Sequence, residues 1–200
     1  MIFKKKIYLL IIPIISLGGG LWQNQYIYDG YHWGFIFTNA LELIEGKIPY
    51  KEIFLEYGIL SVIINSITLI ITNENIYSLM IVTSIFYSLS LYLIGELTYK
   101  ITLNKLYSFF AILIIFLLYP WPTTPWPNFY SFFFTILFCV LYLKKKRIYY
   151  IISGISLGFA YLSLSTIYNY IIIIFYSLVF LLFFLFKKKL NKIDFQKIYY

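Results

Sequence analysis

The sequence predicts an all-α, polytopic membrane protein with about six transmembrane helices and amphipathic interfacial helices in its first outer loop. Three observations predict it. Hydrophobic residues make up 62% of the chain and charged ones only 12%, and with a mean hydropathy of +0.82 there is more apolar surface than a water-soluble globule hides. The apolar runs between charges approach the roughly 20 residues a helix needs to cross hydrocarbon. The lysines come in short blocks at the ends of those runs, where cytoplasmic loops carry them. In lipid, backbone N–H and C=O groups must pair within their own segment, so even the Ile-rich runs read as helices.

The expected spans are residues 7–23, 76–95, 106–119, 128–143, 148–165 and 168–186. The first follows Lys4, Lys5 and Lys6 in the manner of a signal peptide. No small-residue cleavage site follows Gly18, Gly19 and Gly20, so it reads as an uncleaved helix. The run from Gly58 to Ile71 is apolar but interrupted by Asn65, and only Thr72, Asn73, Glu74 and Asn75 join it to the next run. Left on the outer side, it gives the cytoplasm 14 of the 16 basic residues and leaves only Lys47 and Lys51 outside. Counted as a crossing, it would reverse every later loop, so the positive-inside rule makes it a helix lying at the interface or re-entering against the protein. Residues 1–200 then form a single transmembrane domain with both termini in the cytoplasm, an outer loop over 24–75 and a basic tail over 187–200.

The net charge of +8 does not point to nucleic acid, because the lysines sit at helix ends and build no basic-aromatic surface. Cys139 is the single cysteine and excludes an intramolecular disulfide, and His32 is the single histidine, without the companions a transition-metal site needs. The expected spans after the first carry Glu96 as their one deeply placed charge, near a cytoplasmic end, which is poor support for an intramembrane ion path.

Chemistry is therefore to be sought in the outer loop, which holds Asp29, Glu42, Glu45, Glu52, Glu56 and Glu74, six of the eight acids. From Tyr31 to Glu45 the apolar Trp33, Phe37, Ala40, Leu41 and Ile44 recur at spacings of three and four, predicting an amphipathic helix on the membrane surface. Gly46 stops it, and Pro49 prevents its resumption in register. Glu52 and Glu56 are expected one turn apart on the next helical segment. Asp29 stands just ahead of the amphipathic helix, where an Asp serves equally as a cap.

The strings Asp29-Gly30-Tyr31-His32, Gly46-Lys47-Ile48-Pro49-Tyr50-Lys51-Glu52 and Glu56-Tyr57-Gly58-Ile59-Leu60 resemble the first outer loop of GT-C glycosyltransferases, the superfamily of protein mannosyltransferases and aminoarabinose transferases. The Pro-rich turn from Tyr119 through Pro120, Trp121 and Pro122 to Pro127-Asn128 and the helix start Gly154-x-x-x-Gly158 fit more loosely. Members of that superfamily are longer, so the resemblance implies a short member or an N-terminal portion. It further implies transfer of a sugar from a polyprenyl-phosphate donor to a glycan, lipid or protein acceptor outside the cytoplasmic membrane, in contact with membrane lipid. No cofactor is implied, although a divalent metal can assist. On this resemblance Asp29 is the candidate general base, since an attacking hydroxyl needs a carboxylate to take its proton. Lys51 and Lys47 are the outer cations for the departing phosphate. Glu52, Glu56, Tyr50 and His32 complete the expected substrate-binding set, with Tyr31, Trp33 and Trp121 available to stack on a sugar.

Overall fold

A computed structural model describes residues 7–26 and 30–164. The chain divides into two compact units, Met1–Ser165 and Thr166–Tyr200. The expectations for Lys4 to Lys6, Asp29, the run 168–186 and the tail 187–200 lie outside the described residues.

The described residues are all-helical. A 3-10 turn, Ile7–Leu9, leads into α1 (Ile11–Gln23), followed by α2 (Gly30–Ile44), α3 (Ile59–Ile71), α4 (Tyr77–Thr102), α5 (Lys105–Leu118), α6 (Pro127–Tyr142) and α7 (Arg147–Ser163). Among these residues the sole β pairing is an isolated bridge between Pro49 and Ile53. Helices thus cover the amphipathic stretch and five of the expected spans. Their lengths are the difference. Only α4, at 26 residues, is long and apolar enough to cross a membrane, whereas α1, α3, α5 and α6 are shorter apolar helices.

Local chemistry explains these bounds. α4 outruns its expected end because nothing at Gly95 or Glu96 breaks it. It stops where Leu103 turns left-handed (φ 55°) while its N–H bonds the Tyr99 carbonyl. Asn104 then caps α5, its side chain accepting the Leu106 N–H at 2.8 Å. Pro127 opens α6 at a position where its missing N–H costs nothing. Between α3 and α4, Asn73 and Glu74 are both left-handed, and the Asn75 side chain accepts the Tyr77 N–H at 3.0 Å. Thr72 and Ser78 hydroxyls meet across this turn at 2.9 Å.

α4 is the central post, packed by α1, α5 and α6, while α7 pairs with α6 and α2 with α3. One apolar core gathers Leu9, Ile12, Tyr87, Leu91 and Ile112. A second joins Ile36, Ala40, Leu69 and Leu79. Between helices the contacts are made by small hydroxyl side chains. Ser88 donates to the Pro13 carbonyl at 2.7 Å, Ser66 to Ala40 at 3.0 Å and Ser156 to Phe134 at 2.8 Å. On α3, Ser61, Asn65, Ser66 and Thr68 are buried together with Val62 and Leu69, while Ile63, Ile67, Ile70 and Ile71 are exposed.

The bundle has two chemically distinct ends. Lys100, Lys105 and the run Lys144, Lys145, Lys146 and Arg147 mark one end, at the foot of α4, the head of α5 and the α6–α7 turn. At the other end, Asn24 after α1 reaches the Tyr77 carbonyl at the head of α4 (3.2 Å), and Thr83 of α4 meets Tyr130 near the head of α6 (3.1 Å). α3 lies across this second end. Its leading Gly58 N–H bonds the Ser163 carbonyl at the tail of α7 (3.2 Å), and its far end turns directly into α4. A helix of its length spans about 20 Å, so contact with the same end of the bundle at both termini means that it does not traverse it.

Candidate functional site at the loop end

The loop that follows α2 is closed by its own polar groups. Gly46 adopts φ +85°, a conformation that only glycine takes without strain. Its N–H bonds Leu43 (3.1 Å) and the Lys47 N–H bonds Glu42 (3.0 Å), the paired bonds of a Schellman stop. Glu52 then reaches back to accept the Ile48 N–H at 2.7 Å. This corrects one expectation: Glu52 and Glu56 do not share a helical face, because residues 49–57 form turns and the bonds back to Ile48 draw the chain away from a helix. Tyr50 stands in the same turn with φ 64° and is 66% exposed.

The two loop lysines differ. Lys47 pairs with Glu42 at 2.9 Å and with Glu45 at 3.5 Å. The hydrogen bond to Glu42 raises its pKa above the ordinary lysine value. Lys51 is exposed and makes no ion pair among the described residues.

Aromatic rings then draw distant segments together. The His32 ring lies 4.7 Å from Trp126 and 5.2 Å from Tyr31. Trp126 meets Tyr57 edge-on at 5.7 Å, and Phe35 meets Tyr57 at 6.5 Å. Burial, reinforced by the adjacent Glu56 carboxylate, pushes the Tyr57 phenol up to about 12. The next residue, Gly58, has no room for a side chain, since a Cβ would overlap the Leu162 carbonyl. His32, Tyr57-Gly58, Trp126-Pro127 and Leu162-Ser163 thus meet at one place, although the sequence separates them widely.

Between α2, α3 and Tyr57 runs a narrow cleft lined by Phe35, Asn39, Leu55, Val62 and Asn65, with Pro127 at its edge. At its floor there is room for little more than a water-sized group. No charged side chain lines it. Asn39 and Asn65, which sequence reasoning did not single out, are 7% and 1% exposed. Trp126 was missed as well. A Pro-flanked Trp in an outer turn was its only signal, and Asn65 had shown itself solely as the polar break in an apolar run.

Of the expected aromatic stackers, Trp33 is fully buried, and Trp121 is half-buried against Gly19 of α1. Tyr31 is 79% exposed. Glu56 is exposed beside Tyr57. Asp29 lies outside the described residues, immediately before the first residue of α2. Among the described residues no group of three or more His, Cys, Asp or Glu side chains stands ready for a metal ion. No family model, curated protein or solved structure matches the chain. What the described residues define on their own terms is an all-α arrangement with one helix long and apolar enough to span a membrane.

Proposed function

We propose that this chain is a multi-pass protein of the cytoplasmic membrane, with both termini in the cytoplasm, that transfers a sugar from a polyprenyl-phosphate donor to an extracytoplasmic acceptor. The observation that carries the reading is the meeting of His32, Tyr57-Gly58 and Trp126-Pro127, since these belong to the segments whose sequence resembles the GT-C outer loop. The separation of the lysine-rich end from the acidic loop end supports the sidedness. The isoleucines turned outward on α3 suit a helix resting in the lipid interface. The short helices are compatible with crossing, because a hydrophobic stretch shorter than the bilayer is accommodated by local thinning.

In this reading the acceptor hydroxyl attacks the anomeric carbon as the Asp29 carboxylate takes its proton. The bond from that carbon to the phosphate oxygen breaks, and the electron pair leaves with the lipid phosphate. Lys51, exposed on the loop, stands to meet the developing charge. Asp29→Asn is expected to lower transfer from a radiolabelled polyprenyl-phosphate sugar by about 10²–10⁴-fold at unchanged protein abundance. Undiminished transfer would remove Asp29 as the base. Thiol labelling of Glu56→Cys in a Cys139→Ser background checks the sidedness, and modification from the cytosol would end the enzyme reading.

A second reading, a non-catalytic scaffold in envelope-glycan assembly, is favoured by the way Glu42, Lys47 and Glu52 are spent on closing their own loop. It expects Asp29→Asn combined with Lys51→Met to leave cell-envelope glycan unchanged.

A further inference from the structure

We propose that the cleft between α2 and α3 is a subsite for one hydroxyl group of an uncharged sugar, received between the carboxamides of Asn39 and Asn65. The inference rests on the glycosyl-transfer reading and adds to it the part of the ligand recognised here. Asn39 uses its Nδ2 to hold the Phe54 carbonyl at 3.1 Å, which leaves its Oδ1 without a hydrogen bond among the described residues. Asn65 does the reverse: its Oδ1 accepts the Tyr130 hydroxyl at 2.8 Å, and its Nδ2 is left over. Both side chains are more than nine-tenths buried and both line the cleft. Neither the Asn39 Oδ1 nor the Asn65 Nδ2 is among the buried polar atoms that lack a partner, so each keeps contact with solvent, and a ligand that engages both replaces water at these two residues of the cleft lining. A hydroxyl is the group that donates to one and accepts from the other.

The rest of the lining selects the ligand. Ser61 is already committed, donating to the Gly58 carbonyl at 2.7 Å, so the two carboxamides are the polar contacts on offer. The absence of any charged liner disfavours a phosphate or carboxylate, which would be buried there without a counter-ion. Phe35 and Tyr57 line the cleft with ring surface, and Trp126 packs edge-on against Tyr57. Apolar ring faces beside a hydroxyl-sized polar notch suit a sugar ring, which carries C–H faces and equatorial hydroxyls.

The test uses the full chain in lipid nanodiscs and follows Trp126 fluorescence during titration with methyl glucoside, methyl mannoside and methyl galactoside, with inorganic phosphate as a separate arm. A Trp126→Phe variant identifies the signal. At least one glycoside is expected to give a saturable change, and phosphate none. Val62→Phe fills the cleft from its wall while sparing both carboxamides, and Asn65→Asp keeps the acceptor for Tyr130 while removing the amide donor. Each is expected to weaken binding by about tenfold or more. No saturable change with any glycoside on folded protein, equal binding in both variants, or phosphate competing for the cleft would each overturn the proposal. Sugar transfer is assayed in parallel. Transfer that is unaffected by Val62→Phe removes the subsite and keeps the enzyme, whereas glycoside binding without any transfer keeps the subsite and removes the enzyme.

Discussion

Tyr57 and Glu56 are neighbours in sequence, and their proximity makes the phenol titrate late. Burial and the adjacent carboxylate move it from 10.0 to about 12. Because the folded value lies above the unfolded one, the neutral phenol favours the folded state fully below pH 10 and loses that contribution as pH rises through about 12. Glu56→Gln removes the like charge and is expected to lower the Tyr57 pKa, read from its ring resonances by NMR with Tyr57→Phe as the assignment. A value unchanged by Glu56→Gln would leave burial as the entire cause. At this scale the sequence was only partly legible. Gly46 could be read as a helix stop, because a glycine after an amphipathic run is the usual left-handed cap. That Glu52 would turn back onto Ile48, and that Lys47 would close on Glu42, depended on a turn geometry that no residue spacing encodes.

Among elements, hydrogen bonds and close backbone approaches join the helices alongside the two apolar cores. Tyr130 ties α6 to both α3 and α4 through Asn65 and Thr83. Tyr130→Phe strips Asn65 of its partner at one side and is expected to cost about 0.5–2 kcal/mol, measured by denaturation in detergent. Gly58→Ala forces a Cβ onto the α7 backbone and is expected to cost about 1–3 kcal/mol. Gly34→Ala in α2, where a Cβ meets open space, is instead expected to stabilise by about 0.5–1 kcal/mol. A Gly58→Ala protein as stable as Gly34→Ala would contradict the close approach. Helix positions were legible from the apolar runs between charges, but Gly154 and Gly158, read as a helix start, lie inside α7. The expected 52–56 helix failed because a spacing of four between two glutamates carries no information once Pro49 and Ile53 pair across a turn.

Among the described residues many serines and threonines are buried alongside the apolar cores, while many isoleucines are exposed. That distribution suits lipid, where small polar residues let helices approach and bond. A nitroxide replacing Ile67, 52% exposed on α3, is expected to be reached by membrane-dissolved oxygen more readily than by a water-soluble nickel chelate. The opposite preference would place α3 in water. The charge pattern set 58–71 apart from the other apolar runs, and in the structure both ends of α3 meet the same end of the bundle. The convergence of Trp126, Tyr57 and His32 was illegible, because it arises only when α6 and α7 bring their loop ends to the first loop. The bond between Gly58 and Ser163 has a consequence for synthesis. A ribosome delivers residue 58 long before residue 163, so the first loop can close on itself and on α2 early, while its seat on α7 forms only once that helix has emerged.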